Sequence, residues 1–178
     1  VTRNGTELWH LAGYLFAGGL LIGSAATVPG HELVHHKKKR LDWFMGNWMM
    51  AFTWDSAFAI EHVQGHHKNV GLSSDPATAK RGDGLYKFFI RNSLQELRDA
   101  WQIERARLKK RGKYLISYHN QLIQGYVRSA LLTAFIFLIS GWNGVFMFLG
   151  MAVFAKLFLE AVNYMEHYGL VRVPGTPV

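Results

Sequence analysis

The chain of 178 residues is long enough for one domain with a sizeable core, and 49% of it is hydrophobic. Its formal charge is nevertheless +8, so apolar and basic residues have to be segregated along the chain, as they are in membrane proteins. A nucleic-acid binder would carry its basic residues on a polar scaffold without long apolar runs, which excludes that class. The lack of cysteine excludes a disulfide framework, a thiolate zinc site and an iron–sulfur cluster, and leaves histidine and carboxylate as the ligands for any metal.

The first element is "LWHLAGYLFAGGLLIGSAATV", residues 8 to 28, a run without charge whose length matches the roughly 20 residues a helix needs to cross a bilayer. It is longer than a signal-peptide core and lacks a basic leader beyond Arg3, so it reads as a spanning helix that Pro29 and Gly30 end. The basic run Lys37 to Arg40 follows, and the positive-inside rule puts that end in the cytoplasm. "LDWFMGNWMMAFTWDSAFAI", residues 41 to 60, is long enough to span, but spanning would set the histidine clusters on its two sides on opposite faces of the bilayer. It is therefore expected to be an interfacial or re-entrant helix, with Trp43, Trp48 and Trp54 at headgroup level.

The basic stretch from residue 80 to 113 should lie on the cytoplasmic side too. Within it Leu94, Leu97, Trp101 and Leu108 fall in a wedge of about 60° on a helical wheel, the pattern of an amphipathic helix. From Tyr126 to Ser140 and from Val145 to Val162 the chain is apolar again, split by the turn signal "SGWNG". A helical hairpin in the membrane results, with Lys156 and Glu160 one turn apart in its second arm and suited to an ion pair. The fold class is all-α, an integral membrane helical bundle. The first residue is Val1, and the closing "VRVPGTPV", with Pro174, Gly175 and Pro177, reads as the start of a loop, so a piece of a longer protein is expected.

Histidines carry the chemistry. His31 and His35 are four apart, as are His62 and His66, and four residues are about one helical turn, so each pair projects from one face and can chelate one ion. His67 points about 100° away from His66 on an α-helix and is placed to reach a second metal, and His167 arrives from the end of the hairpin. Six imidazoles exceed the needs of one tetrahedral zinc, and a pair of irons fits the count better, although imidazole alone does not choose between iron, zinc and copper. Glu32, Glu61 and Glu166 sit in or beside the clusters, and three roles stay open for them: fixing ligand tautomers by accepting the other ring N–H, direct ligation, or simple capping. His10, His36 and His119 read as ordinary hydrogen-bonded histidines.

Taken in order, "HELVHHKKK", "EHVQGHH" and "NYMEHYGL" with apolar segments around them resemble the membrane-bound alkane 1-monooxygenases. Xylene monooxygenase hydroxylase subunits and membrane fatty-acid desaturases carry similar histidine boxes. The "NY-x-EHYGL" element is a hallmark of the alkane enzymes, and the resemblance runs from the first apolar helix to Leu170. It implies two non-haem iron ions at the cytoplasmic face of a bacterial inner membrane, held by His31, His35, His62, His66, His67 and His167. It also implies a reaction, the insertion of one atom of O₂ into the terminal C–H bond of an alkane to give a primary alcohol. The electrons would come from a rubredoxin or ferredoxin-type donor, which a basic surface suits.

The resemblance also sets an expectation of incompleteness. The family has a further H-x-x-H-H box after the hallmark, so residues 1–178 read as one partial di-iron hydroxylase domain, inactive by itself. His36 stands where the family usually has lysine. Two alternatives remain open: a fatty acyl desaturase or hydroxylase or xylene-type methyl monooxygenase, and a non-redox membrane metal-binding protein.

Overall fold

In the computed structural model, which describes residues 7–176, the first apolar run does not stop at Pro29. Arg3 and Pro177, which entered the leader and loop readings, lie outside the described residues. Helix α1 (Leu8–Ile22) passes into a five-residue π turn (Gly23–Thr27) and on into α2 (Val28–His35). The expected break at Pro29 and Gly30 is thus corrected, for a physical reason. Proline lacks an N–H and its ring presses on the carbonyl four residues back, and a π turn just before it changes the register so that proline falls in the first turn of a new α segment. The Ser24 hydroxyl donates to the Leu20 carbonyl at 2.8 Å and the Thr27 hydroxyl to that of Ile22 at 3.4 Å.

Two compact units make up the chain, Val1–Asp55 with Gly125–Phe158, and Ser56–Gln124 with Leu159–Val178. In the first unit, α2 is followed by α3 (Arg40–Ala51), whose 12 residues reach about 18 Å, short of the roughly 30 Å hydrocarbon core of a bilayer. By itself α3 is too short to cross such a core. Helices α2 and α3 approach at two glycines. A Cβ on Gly30 would lie 2.9 Å from the Met49 side chain, and one on Gly46 would lie 2.9 Å from the Leu33 Cβ and 3.0 Å from the Val34 backbone nitrogen. Such small-residue contacts let helix backbones pack closely where no hydrophobic effect drives them together.

Helix α7 (Gln121–His167) is two helical arms interrupted at Gly141, whose φ of 62° is open to glycine and costly for other residues. This is the turn expected within "SGWNG". Trp54, itself at a positive φ of 57°, donates its ring N–H to the Thr133 hydroxyl at 3.2 Å and sits 6.4 Å from the Tyr126 ring on the first arm. Its neighbour Asp55 accepts from Lys156 on the second arm at 2.6 Å. Glu160, fully buried in the second unit, accepts from the Asn92 amide at 2.5 Å.

The second unit holds α4 (Phe58–Glu61), another π turn (His62–His66), α5 (His67–Asn69) and α6 (Leu85–Lys110). The buried face of α6 is Phe88, Asn92, Glu96, Ala100, Glu104 and Leu108, spaced by four throughout. Of the wedge expected from Leu94, Leu97, Trp101 and Leu108, Leu108 alone belongs to that face; Leu97 and Trp101 are half-buried and Leu94 is exposed. Buried polar residues on that face find partners away from solvent: the Asn92 amide donates to Glu160, and Glu104 takes two bonds from Arg107 at 2.6 and 2.7 Å and one from the Gln121 N–H at 2.8 Å. The Asn120 side chain caps α7 by accepting from the Leu122 and Ile123 N–H groups. Among the described residues there is no β-strand, and two helical stretches, Leu8–His35 and Gln121–His167, are long and apolar enough to cross a membrane.

Candidate metal centre

The π turn at His62–His66 decides how the second histidine cluster is presented. A π turn makes residues five apart neighbours, and the Nε2 atoms of His62 and His67 lie 3.1 Å apart. The α-helical wheel, which directed His67 away, fails here because the helix is widened at that point. His66 keeps its place beside His62, with ring centroids 5.2 Å apart, and His167 brings its ring within 4.8 Å of His66. Four of the six expected ligands thus meet inside the second unit.

Two of these rings are aimed by their other nitrogen. His66 donates through Nδ1 to Asp75 at 2.9 Å, with both side chains almost wholly buried. Asp75 is fixed in turn by the Thr78 hydroxyl at 2.5 Å and the Ala77 N–H at 3.4 Å. His167 donates through Nδ1 to the Asn163 carbonyl at 3.0 Å. A carboxylate or carbonyl only accepts, so Nδ1 holds the proton in each ring and Nε2 keeps its lone pair for a ligand.

Of the three carboxylates singled out in the sequence, Glu61 alone is buried. It accepts from the His66 backbone N–H, and burial pushes its carboxyl up to about 7, helped by nearby Asp75. Glu32 is largely exposed and faces His36 at 3.6 Å, and Glu166 is exposed. Asp75 was missed because its loop, "GLSSDPATAK", has no periodicity; the Asp-Pro turn signal was the only trace of it.

In the first unit His31 and His35 stand on α2 with ring centroids 5.0 Å apart and a ring nitrogen of each within 4.8 Å of the other. His36 donates to Asp42 at 2.9 Å at the helix end, which fits the bystander role expected of it. His10 stacks on Trp9, and the His119 carbonyl accepts from Arg107.

The donor set fits a transition metal. Metal–nitrogen bonds of about 2.1 Å put two cis donors about 3.0 Å apart at a right angle, close to the His62–His67 spacing. Two further rings are locked in the tautomer that ligation needs. An apolar helical chain with such a cluster has the makings of a histidine-rich, membrane-associated metal site.

Comparison with known proteins narrows the class. The fatty acid desaturase family matches residues 7–178, and the chain belongs to it. It is 39% identical over 170 residues to alkane 1-monooxygenase 2 of Alcanivorax borkumensis, covering 96% of this chain and 44% of that protein. Alkane 1-monooxygenase 2 of Pseudomonas aeruginosa is 36% identical over 160 residues, 90% of this chain and 42% of its own length. The hydroxylase component of the Pseudomonas putida xylene/toluene monooxygenase is 31% identical over 176 residues, 97% of this chain and 47% of its own. The chain therefore spans less than half the length of these curated relatives.

Proposed function

We propose that residues 1–178 form part of one membrane di-iron hydroxylase domain whose whole protein inserts an atom of O₂ into the terminal C–H bond of an alkane, giving a primary alcohol. The observation that carries this reading is identity of 35–39% to alkane 1-monooxygenases over 85–96% of the chain. His31, His35, His62, His66, His67 and His167 would hold two irons. Iron, when bound, supplies the O₂ activation that no side chain provides.

The chain's own part is to aim and to shelter. Asp75 and the Asn163 carbonyl hold the protons of His66 and His167 on Nδ1, so that Nε2 of each stays a ligand. Phe58, buried and stacked on His62 at 4.4 Å, keeps water from that ring's face. Apolar helices give a bilayer-dissolved alkane its route. Electrons would arrive from a rubredoxin or ferredoxin-type protein on the cytoplasmic face.

The xylene/toluene relative keeps a second substrate class in play, a methyl group on an aromatic ring. The full-length protein, purified in detergent after growth on ⁵⁷Fe, tests both levels. About two irons per chain with nitrogen-rich Mössbauer parameters, and conversion of octane to 1-octanol, are expected. Zinc alone, or one loosely held ion, removes the oxygenase reading in favour of a metal-binding membrane protein; turnover of xylene but not octane moves the substrate to aromatic methyls.

A further inference from the structure

Helix α6 carries three acidic residues, and the fold turns two of them inward: Glu96 and Glu104 are buried, while Asp99 is half-buried and takes a bond from Gln95 at 2.9 Å. Every exposed charged residue of α6 is therefore basic, namely Lys87, Arg98, Arg105, Lys109 and Lys110. The segment that follows adds Arg111 and Lys113, then alternates large apolar side chains outward: Tyr114, Ile116 and Tyr118 are 86%, 85% and 78% exposed. Between the helix and this segment lies a cavity of about 400 Å³ lined by Arg98, Trp101, Gln102, Arg105, Leu115 and Ile116. Its floor is apolar and its rim cationic.

Position says what covers this surface. Three residues after Tyr118, α7 begins, and its apolar stretch is long enough to enter a bilayer. Cations within a few residues of such an entry meet lipid headgroups, and tyrosines are favoured at that depth. A polar protein partner would match the charges but not three outward apolar side chains standing almost free of the fold.

We propose that the groove between α6 and residues 113–118 is a binding site for an anionic phospholipid. Arg98 and Arg105 take the headgroup phosphate, and Leu115, Ile116 and Trp101 receive the start of an acyl chain. Tyr114 and Tyr118 sit at the interface beside it.

The test equilibrates the chain in a non-ionic detergent with equimolar phosphatidylglycerol and phosphatidylcholine and reads retained lipid by native mass spectrometry. Phosphatidylglycerol is expected in excess by about threefold at low salt, falling towards parity at about 0.5 M, where charges are screened. Arg98→Gln with Arg105→Gln should bring parity at low salt with helical circular dichroism unchanged. A parent without preference overturns the proposal, as does a preference that survives the double substitution. If the double variant loses helix, the salt series on the parent decides, and a preference undiminished at high salt overturns it. Loss of binding to an acidic redox protein in the double variant, with lipid preference intact, would assign the groove to protein docking instead.

Discussion

Asp75 accepts the Nδ1 proton of His66 at 2.9 Å, and the bond lies where solvent does not reach. Such a carboxylate fixes the ring's tautomer and raises its basicity as a ligand, and its loss commonly lowers metal affinity about 10–100-fold. Asp75→Asn, which can still accept but carries no charge, is expected near the lower figure. Asp75→Ala is expected near the upper one. Cobalt(II) titration followed by visible absorption measures both, and unchanged affinity in Asp75→Ala would remove the aiming role.

The six histidines proposed as ligands were legible in the sequence as spacing, but the geometry of the second cluster was not. A 3.6-residue wheel sends His67 away from His62, and only the π turn, a change of hydrogen-bond register with no signature in residue type, brings them to 3.1 Å. The apolar runs were legible because a bilayer demands them. The fate of Pro29 was not, since the same π register upstream makes room for it. On α6 the hydrophobic wedge misled because Asn92, Glu96 and Glu104 are buried, and burial of polar residues depends on partners remote in sequence, such as Glu160 and Gln121.

The Asp55–Lys156 pair yields a second prediction. Asp55 is 3% exposed and its partner is 2.6 Å away, so removing the lysine leaves a charge stranded in the protein. Lys156→Met should cost about 3–5 kcal/mol, while Asp55→Leu with Lys156→Met should be close to neutral. Thermal unfolding in detergent compares the three chains. Equal losses in the single and double variants would show that the pair acts by more than mutual charge compensation.

Close approach at Gly46 gives a third. An alanine Cβ there meets the Val34 backbone nitrogen at 3.0 Å as well as the Leu33 Cβ, and backbone cannot swing aside as a side-chain tip can. Gly46→Ala should therefore separate α2 from α3 and cost about 1–3 kcal/mol. Because α2 carries His31 and His35, weaker metal retention should accompany the lower melting temperature. Gly13→Ala is the control, since a Cβ there meets nothing within 4 Å and alanine is the better helix former.

Glu61 makes stability depend on pH in the metal-free chain. Its carboxyl is raised from 4.5 to about 7, first by burial and then by Asp75, so the folded chain holds a proton there that the unfolded chain has lost. Below about pH 4.5 the proton is present in both states and the protonated, buried form is fully compatible with the fold. Between about 4.5 and 7 the unfolded state ionises first, and stability falls by up to roughly 3 kcal/mol as the pH rises through that window, levelling off above it. Glu61→Gln keeps the shape of the protonated side chain and removes the titration. Its denaturant midpoint should then stay flat across the window in which the parent declines, and at pH 8 the variant should be the more stable of the two. Parallel pH profiles for parent and variant would mean that the proton taken up on folding resides elsewhere.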